Sequence, residues 1–404
     1  MTGFGWFGGA CLVAGTTIGA TVLVLIGSVV GFNFPHVLFL YFFAWAIMML
    51  TGLMLGEVCM KLPKGHSFLS ITGHYWGSWG QWVSSLIFYL LMFFLLCSYY
   101  SILGKTSMVI VDHQHIISGL MPSQLVLFWS SIMAVGLYFG REMLKRANSV
   151  FVLIMIVTFL VLLGAVIPFA RFEQVIQLPE LKTGIIDSAI SLLFIINAFG
   201  FHIILPSVRN LLGDNQSKDM VRSILIGSAI PLCLYILWFV ISVSLLPAAF
   251  LNGPILQVPM DQVSVFVTEI IKKATQSDLV YDLLFILHFT FVITSVIGIS
   301  LSLFDLLADL FGKLKLRLAN WVGCLLATFP SAIFTIIDQR GVRFFLAFAG
   351  ILVIILNIIM PALFLLQERH ERAGLSRFAL ISNPLAYFCI FIGVALLPIT
   401  IYYL

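Results

Sequence analysis

The chain has 404 residues, of which 61% are hydrophobic and only 9% charged, and its mean hydropathy is +1.12. A soluble domain would carry about 25% charged residues, so the composition excludes a large soluble domain and predicts a helical protein that crosses a membrane many times. The net charge of +4 gives no indication of nucleic-acid binding, because the basic residues lie in short segments between apolar runs. The six cysteines lie in apolar runs without a CxxC pair, so we expect free thiols and no metal site.

Eleven apolar runs are long enough to cross a membrane as helices. They are residues 4–32, 36–60, 80–103, 122–140, 149–170, 185–206, 221–247, 279–304, 318–337, 342–366 and 379–403. With the N-terminus in the cytoplasm, most lysines and arginines lie in the predicted cytoplasmic loops, as the positive-inside rule requires. We therefore expect a cytoplasmic N-terminus and an external C-terminus. In the longest predicted outer loop, an amphipathic piece near 261–273 has the pattern of a surface helix.

The first run is interrupted at its centre by two glycines and two threonines, within Ala14–Ala20. Glycine weakens a helix, and a threonine hydroxyl competes for the carbonyls of the preceding turn. A break at mid-depth leaves amide and carbonyl groups unpaired, and it persists only where these groups line a cavity or meet a polar ligand. The stretch therefore predicts half of a solute-binding site. The alternative is a close helix crossing through small residues.

The sixth run has a corresponding interruption, Asn197–His202, followed by Pro206. Interrupted helices at corresponding positions of two halves indicate a transporter built from inverted repeats. We expect an all-α protein with one transmembrane transporter domain over residues 1–404. Its parts would be a first repeat of about residues 4–170, a second of about 185–366 and one extra C-terminal helix of about 379–403.

Several motifs follow one another in a characteristic order. They are Ala14–Ala20, Tyr75–Trp82, Phe199–His202 with Pro206 and Ser207, Gly227–Pro231, Thr294–Gly298 and Leu303–Asp305. This set resembles the hydroxy/aromatic amino acid permease family, the bacterial tyrosine- and tryptophan-specific permeases of the amino acid/polyamine/organocation superfamily. The resemblance implies the leucine-transporter fold, with five-plus-five inverted repeats and eleven spans, in the bacterial inner membrane. It also implies proton-driven import of an aromatic amino acid, with tyrosine favoured, between broken helices one and six.

The predicted substrate site has two walls and a lid. The first wall would offer amides and hydroxyls to the substrate carboxylate and carbonyls to its ammonium group; its residues are Gly15, Thr16, Thr17, Ile18, Gly19 and Ala20. The second wall would open at a glycine and stack aromatic rings on the substrate; its residues are Asn197, Phe199, Gly200, Phe201 and His202. Tyr99 would bond the carboxylate or close over the ligand. The alternatives are core or lipid-facing positions for the phenylalanines and an interfacial position for Tyr99.

Five residues are candidates for ion coupling. His202 lies inside a span, where an ionisable group is costly and by default functional, although it could simply pair with a carbonyl freed by the break. Thr294 and Ser295 are candidate sodium ligands, since hard cations take oxygen ligands; the alternative is hydroxyl bonding within their own helix. Glu57 and Asp305 would carry protons or gate the inner vestibule, or pair with nearby lysines. The coupling ion stays open between a proton and sodium, and we expect no other cofactor.

Three classes of function compete. The chain has no G-x-x-x-x-G-K-[ST] motif, so an ion gradient would drive transport. The leading hypothesis is a tyrosine:proton symporter working by alternating access, and the alternative is a sodium-coupled symporter of aromatic or neutral amino acids. A channel would need a filter-like repeat, and an enzyme would need a catalytic or metal-ligand constellation; neither is present in the sequence. The expected partners are the substrate and the lipid bilayer, without nucleic acid, and a monomer is expected.

Overall fold

The computed structural model describes residues 5–113, 121–182, 184–212, 216–251, 262–313, 320–338, 341–371 and 381–403. The regular elements within these ranges are helices. In chain order they are α1 (Gly5–Thr17), α2 (Thr21–Val29), α3 (Phe34–Lys61), α4 (Phe68–His113), α5 (Pro122–Phe139), α6 (Arg141–Val166), a 3₁₀ turn (Ile167–Phe169), α7 (Glu173–Ile176), α8 (Ile185–Ala198), a 3₁₀ turn (His202–Ile204), α9 (Leu205–Leu211), α10 (Ser217–Leu245), α11 (Ala248–Leu251), α12 (Val263–Thr275), α13 (Asp278–Lys313), α14 (Asn320–Ile337), α15 (Gly341–Val353), a π-helical segment (Ile354–Ile359), α16 (Met360–Glu371) and α17 (Asn383–Tyr403).

Ten helical segments of the described chain are long and apolar enough to cross a membrane, and they correspond to predicted runs two to eleven. The first run is divided into α1 and α2, each shorter than a full crossing. Helices on the outside of the bundle expose large apolar side chains, as Leu153, Val157 and Leu160 do on α6. An apolar exterior of this kind matches a lipid environment. The predicted all-helical, multi-pass architecture is therefore confirmed.

The third predicted run is longer than we expected. We predicted a helix from residue 80, whereas α4 begins at Phe68 and continues through a kink at Gly77. Gly77 has φ +68°, a conformation that side chains disfavour and glycine allows. The extra segment packs onto α16, where the Tyr75 hydroxyl donates to Glu368 over 2.6 Å. This contact between distant parts of the chain stabilises a glycine-rich stretch whose local composition predicts a loop.

The predicted amphipathic piece near 261–273 forms α12 from Val263 onward, while Asp261 lies outside the described residues. The helix packs against α13 and α2, with Val267 and Ile271 buried. It therefore covers the end of the bundle near α2.

Helices of the two halves pack on each other in an ordered way. α3 packs on α10, α4 on α13 and α5 on α14. In each pair, the second helix corresponds to the predicted run five places after the first. The helix α6 contacts α13, and the helices five runs away from these two, α15 and α4, also contact each other.

The half-helix α1 crosses α10 closely. A Cβ built on Gly227 would lie 2.6 Å from Val13 Cβ and 2.7 Å from the Ala10 carbonyl oxygen. A close helix crossing through small residues was the alternative explanation for the glycines of the break. The crossing of α1 with α10 instead depends on Gly227, which lies on α10 and not in the break. Gly15 has no atom within 4 Å of a Cβ built on it, so its small size is not explained by this crossing.

Candidate functional site

The first predicted break is present, and the threonine hydroxyls bond as the sequence predicts. The Thr16 hydroxyl donates to the Leu12 carbonyl and the Thr17 hydroxyl to the Val13 carbonyl, each over 2.7 Å. Both bonds return to the preceding turn of α1. The helix ends at Thr17, and α2 begins at Thr21. The break therefore leaves helix-end groups within the bundle.

Ser295 of α13 contacts the start of α2. The Ala20 amide donates to the Ser295 hydroxyl oxygen over 2.8 Å, which satisfies one of the unpaired amides that a helix N-terminus leaves. A Cβ built on Gly19 would lie 2.8 Å from the same oxygen. A side chain at this position would displace the Ser295 hydroxyl and with it the bond to the Ala20 amide, so glycine suits the close approach of α13 to the break.

The second predicted break is also present. α8 ends at Ala198, and the chain resumes helical structure at His202. Phe199 and Phe201 are both fully buried. The Phe201 ring fills the space beside Gly52 of α3, where a Cβ would lie 2.7 Å from it. In this conformation the two rings belong to the core next to the break, as the alternative for the phenylalanines predicts.

Tyr235 of α10 joins the two breaks. Its hydroxyl lies 2.8 Å from the Thr17 carbonyl oxygen and 3.0 Å from that of Ala198. These are the last residues of α1 and α8, whose C-terminal ends carry partial negative charge. One phenol proton is shared between two carbonyls, and the Phe199 ring packs edge-on against the same tyrosine at 5.2 Å. Tyr235 is not among the site residues predicted from the sequence, because its run also contains four serines and one more hydroxyl gives no distinct signal.

The structure brings Tyr99 to the first break as well. Its hydroxyl lies 3.0 Å from the Thr21 hydroxyl, at the first residue of α2. Tyr99 is 6% exposed, so its side chain is buried within the bundle, beside the broken first helix. Its role in substrate binding stays a prediction.

His202 is fully buried and bonds to α3. Its Nε2 lies 2.9 Å from the Thr51 hydroxyl oxygen, and that hydroxyl already donates to the Ile47 carbonyl. Which of these two atoms donates to the other depends on the tautomer of the imidazole. Nδ1 has no hydrogen-bond partner among the described residues. The partner is a hydroxyl, whereas the alternative from the sequence was a carbonyl freed by the break.

Thr294 and Ser295 lie on the same turn of α13. The Thr294 hydroxyl donates to the Thr290 carbonyl over 2.8 Å and that of Ser295 to the Phe291 carbonyl over 2.9 Å. Both bonds are of the back-bonding type that we considered as the alternative. Either side chain could bind sodium only through its hydroxyl oxygen. The Ser295 hydroxyl oxygen already accepts a hydrogen bond from the Ala20 amide.

The two predicted carboxylates, Glu57 and Asp305, lie on α3 and α13. Glu57 is 2% exposed and is paired with Lys61 and with Arg369 of α16, each with an N···O distance of 3.0 Å. Asp305 lies at an exposed position of α13. The pair with Lys61 is the alternative that we gave for Glu57, and the pair with Arg369, which links α3 to α16, was not predicted. The roles of both carboxylates in coupling stay predictions.

Asn197 and Asn357 lie on either side of the second break. The Asn197 amide nitrogen donates to the Leu346 carbonyl of α15 over 2.8 Å. Asn357 lies in the π-helical segment, and its amide nitrogen would be 3.6 Å from a Cβ on Gly200. Sequence analysis missed Asn357, although a lone asparagine in an apolar run carries the same signal as His202.

The two halves of the broken first helix differ in exposure. The C-terminal end of α2 is covered, since the Leu181 and Lys182 amides donate to the Gly31 carbonyl over 2.7 and 2.8 Å. Burial also lowers the pKa of the Lys182 ammonium group there. On α1, by contrast, Gly15 and Thr16 are exposed. The chain beyond α2 is therefore covered, whereas two residues near the end of α1 are exposed.

Comparisons with known proteins agree with one another. Residues 3–400 match the model of the tryptophan/tyrosine permease family. Tyrosine-specific transport system 1 of Haemophilus influenzae is 26% identical, covering 91% of this chain and 89% of the relative. Tyrosine permease of Enterobacter agglomerans is 27% identical, covering 91% of this chain and 88% of the relative. A tryptophan-specific transport protein of Pseudomonas aeruginosa is also 27% identical, covering 90% of this chain and 86% of the relative. The structure resembles MHP1, a nucleobase-cation-symport-1 family transporter in a closed conformation with bromovinylhydantoin bound, at TM-score 0.65 and 12% identity over 98% of this chain and 92% of the other. That likeness shows a shared leucine-transporter-like fold.

Proposed function

Because the chain belongs to the tryptophan/tyrosine permease family, a family of transporters and not of enzymes, we propose that it imports an aromatic amino acid by secondary active transport. Tyrosine is the proposed substrate and the proton the proposed coupling ion. One observation carries the proposal: the ends of two broken helices meet at the Tyr235 hydroxyl. Both are C-terminal ends, whose partial negative charge suits an ammonium group, and the N-terminus of α2, which follows α1, suits a carboxylate. A zwitterion requires both polarities.

The polarity of the helix ends suggests how the substrate is held. The N-terminus of α2 carries partial positive charge and suits the substrate carboxylate, while the C-terminal carbonyls of α1 and α8 suit its ammonium group. Ser295 holds the start of α2 through the Ala20 amide. Tyr235 holds the two carbonyl ends together. An incoming ammonium group would then compete with the tyrosine hydroxyl for the same carbonyls.

Alternating access is proposed for the transport cycle. The covered end of α2 and the exposed positions on α1 support an arrangement in which the site is reached from the side where α1 begins. With the cytoplasmic N-terminus that the basic residues favour, this arrangement is inward-facing. We place the protein in the bacterial inner membrane, with its C-terminus outside.

An inverted repeat of five spans each is supported by the packing. The helices α6 and α13 are predicted runs five and eight, and they contact each other. Their counterparts in the other half are runs ten and three, α15 and α4, which also contact each other. The two broken runs, one and six, are also five places apart. With α1 and α2 together as one span, the chain would cross the membrane eleven times. One chain supplies both broken helices, so we propose that the monomer is the functional unit.

Counterflow in proteoliposomes tests the proposed function. Purified protein in vesicles loaded with unlabelled tyrosine should accumulate labelled tyrosine transiently from outside, because a carrier exchanges one substrate molecule for another. A channel would equilibrate the label without transient accumulation. Failure to exchange tyrosine, tryptophan or phenylalanine would contradict the proposal.

The coupling ion gives a separate prediction. Replacing sodium by choline on both sides should leave the initial rate of tyrosine uptake unchanged within about twofold, because a proton gradient would drive transport. Collapsing the pH gradient should reduce accumulation. A loss of rate in choline would instead favour the sodium-coupled alternative and make Thr294 and Ser295 the candidate sodium ligands.

His202 gives a prediction on pH. We expect His202→Ala to change the dependence of uptake on pH, because a histidine inside a span is suited to exchange protons. Thr51→Val keeps the imidazole but removes the hydroxyl that His202 contacts. It should therefore shift the pH profile without removing it. A His202→Ala profile of unchanged shape and full rate would remove the proposed proton role.

A further inference from the structure

Two asparagine side chains are buried beside the second break with unpaired amide oxygens. Asn357 is 1% exposed and Asn197 is 8% exposed. Neither Oδ1 atom has a hydrogen-bond donor among the described residues. Buried polar atoms are normally paired, so unpaired acceptors on two residues near the break indicate a group that arrives from elsewhere.

Both asparagines lie near Gly200, which follows the end of α8. A Cβ built on Gly200 would lie 3.6 Å from the side-chain nitrogen Nδ2 of Asn357 and 3.4 Å from the backbone carbonyl oxygen of Asn197. The bond from Asn197 Nδ2 to the Leu346 carbonyl orients that amide and leaves its Oδ1 as the acceptor. Asn357 lies in the π-helical segment between α15 and α16, and single π-helical turns often occur at functional sites.

The chemistry of these oxygens favours an uncharged donor. Each is the neutral carbonyl of an amide, and a buried cation would need closer compensation of its charge. The substrate ammonium group already has better partners, the helix-end carbonyls of Thr17 and Ala198. The remaining donor on the proposed substrate is on its side chain, the phenol O–H of tyrosine or the indole N–H of tryptophan. Phenylalanine has no such donor.

We propose that Asn357, together with Asn197, accepts a hydrogen bond from the side-chain donor of the substrate and so selects tyrosine or tryptophan against phenylalanine. This inference rests on the proposed transport of aromatic amino acids. A site that hydrogen-bonds a substrate donor rejects an analogue without it, because the buried acceptors then stay unpaired.

Analogues test the inference on the unmodified protein. In competition with labelled tyrosine, para-fluorophenylalanine matches the ring and nearly the size of tyrosine without a donor. Benzothienylalanine replaces the indole N–H of tryptophan by sulfur. Each should compete roughly 10- to 100-fold less well than the parent amino acid. Equal competition by both analogues would overturn the inference while leaving the transport of aromatic amino acids established. If no aromatic amino acid is exchanged, the proposed function and the inference both fail.

Asn357→Leu tests the residue itself, since leucine has a similar volume but no acceptor. The variant should lose most of the discrimination between tyrosine and para-fluorophenylalanine, with tyrosine uptake reduced and that of the analogue retained. Asn148→Leu is the matched control, because Asn148 of α6 also has an unpaired buried amide oxygen but lies outside the site; it should keep the discrimination. An equal loss for both substrates in Asn357→Leu would assign a purely structural role and overturn the inference. Should Asn357→Leu fail to fold, the analogue competition decides.

Discussion

Gly19→Leu is expected to abolish tyrosine uptake while the protein still inserts into the membrane. The reason is local: a Cβ at this position would lie 2.8 Å from the Ser295 hydroxyl oxygen. The added side chain would turn the Ser295 hydroxyl away or push α13 back, and either movement would break the bond from the Ala20 amide. Overpacking of this kind costs about 1–3 kcal/mol, and here it falls on the helix end proposed to bind the carboxylate. Initial uptake rates in proteoliposomes, normalised to the amount of inserted protein, measure the effect.

Gly164→Leu is the matched control. Gly164 lies on α6 and has no atom within 4 Å of a Cβ built on it. The same substitution there should leave uptake close to that of the unmodified protein. Normal uptake by Gly19→Leu would reject the assignment of the first break to the substrate site, and equal loss in both variants would show that added apolar bulk alone is harmful.

Tyr235→Phe is expected to reduce uptake by roughly 10- to 100-fold. The substitution keeps the ring that packs against Phe199 but removes the hydroxyl shared by the Thr17 and Ala198 carbonyls. A buried acceptor without a donor costs about 1–3 kcal/mol, and here two acceptors lose their common donor. The ends of α1 and α8 would then separate or admit water, and the proposed ammonium site would lose its geometry.

Tyr138→Phe controls for the loss of a phenol in the same protein. Tyr138 lies on α5 and is 57% exposed, so its hydroxyl should contribute little to uptake. The apparent KM and the maximal rate of both variants would be measured over a range of tyrosine concentrations. Unchanged kinetics in Tyr235→Phe would show that the bridge between the breaks has no part in transport.

The sequence by itself determined the class of the protein and the position of both interruptions. Apolar runs of membrane length are recognisable in any context, and the threonine hydroxyls act on carbonyls only four residues away. Such effects lie within one or two turns, so the residues alone predict them. The same local rule failed for Phe68–Trp76, because the helix there is stabilised by a distant partner, Glu368.

Only the tertiary structure decided which groups meet at the breaks. Ser295 reaches Ala20 across 275 positions of the chain, and Tyr235 reaches Thr17 across 218. These contacts depend on how α10 and α13 are rotated and shifted against the half-helices, to within a few ångströms. Apolar periodicity does not specify such a register in a chain whose helices are apolar on most sides. For the same reason the ion pair of Glu57 with Arg369 and the position of Asn357 beside Gly200 became visible only in the folded molecule.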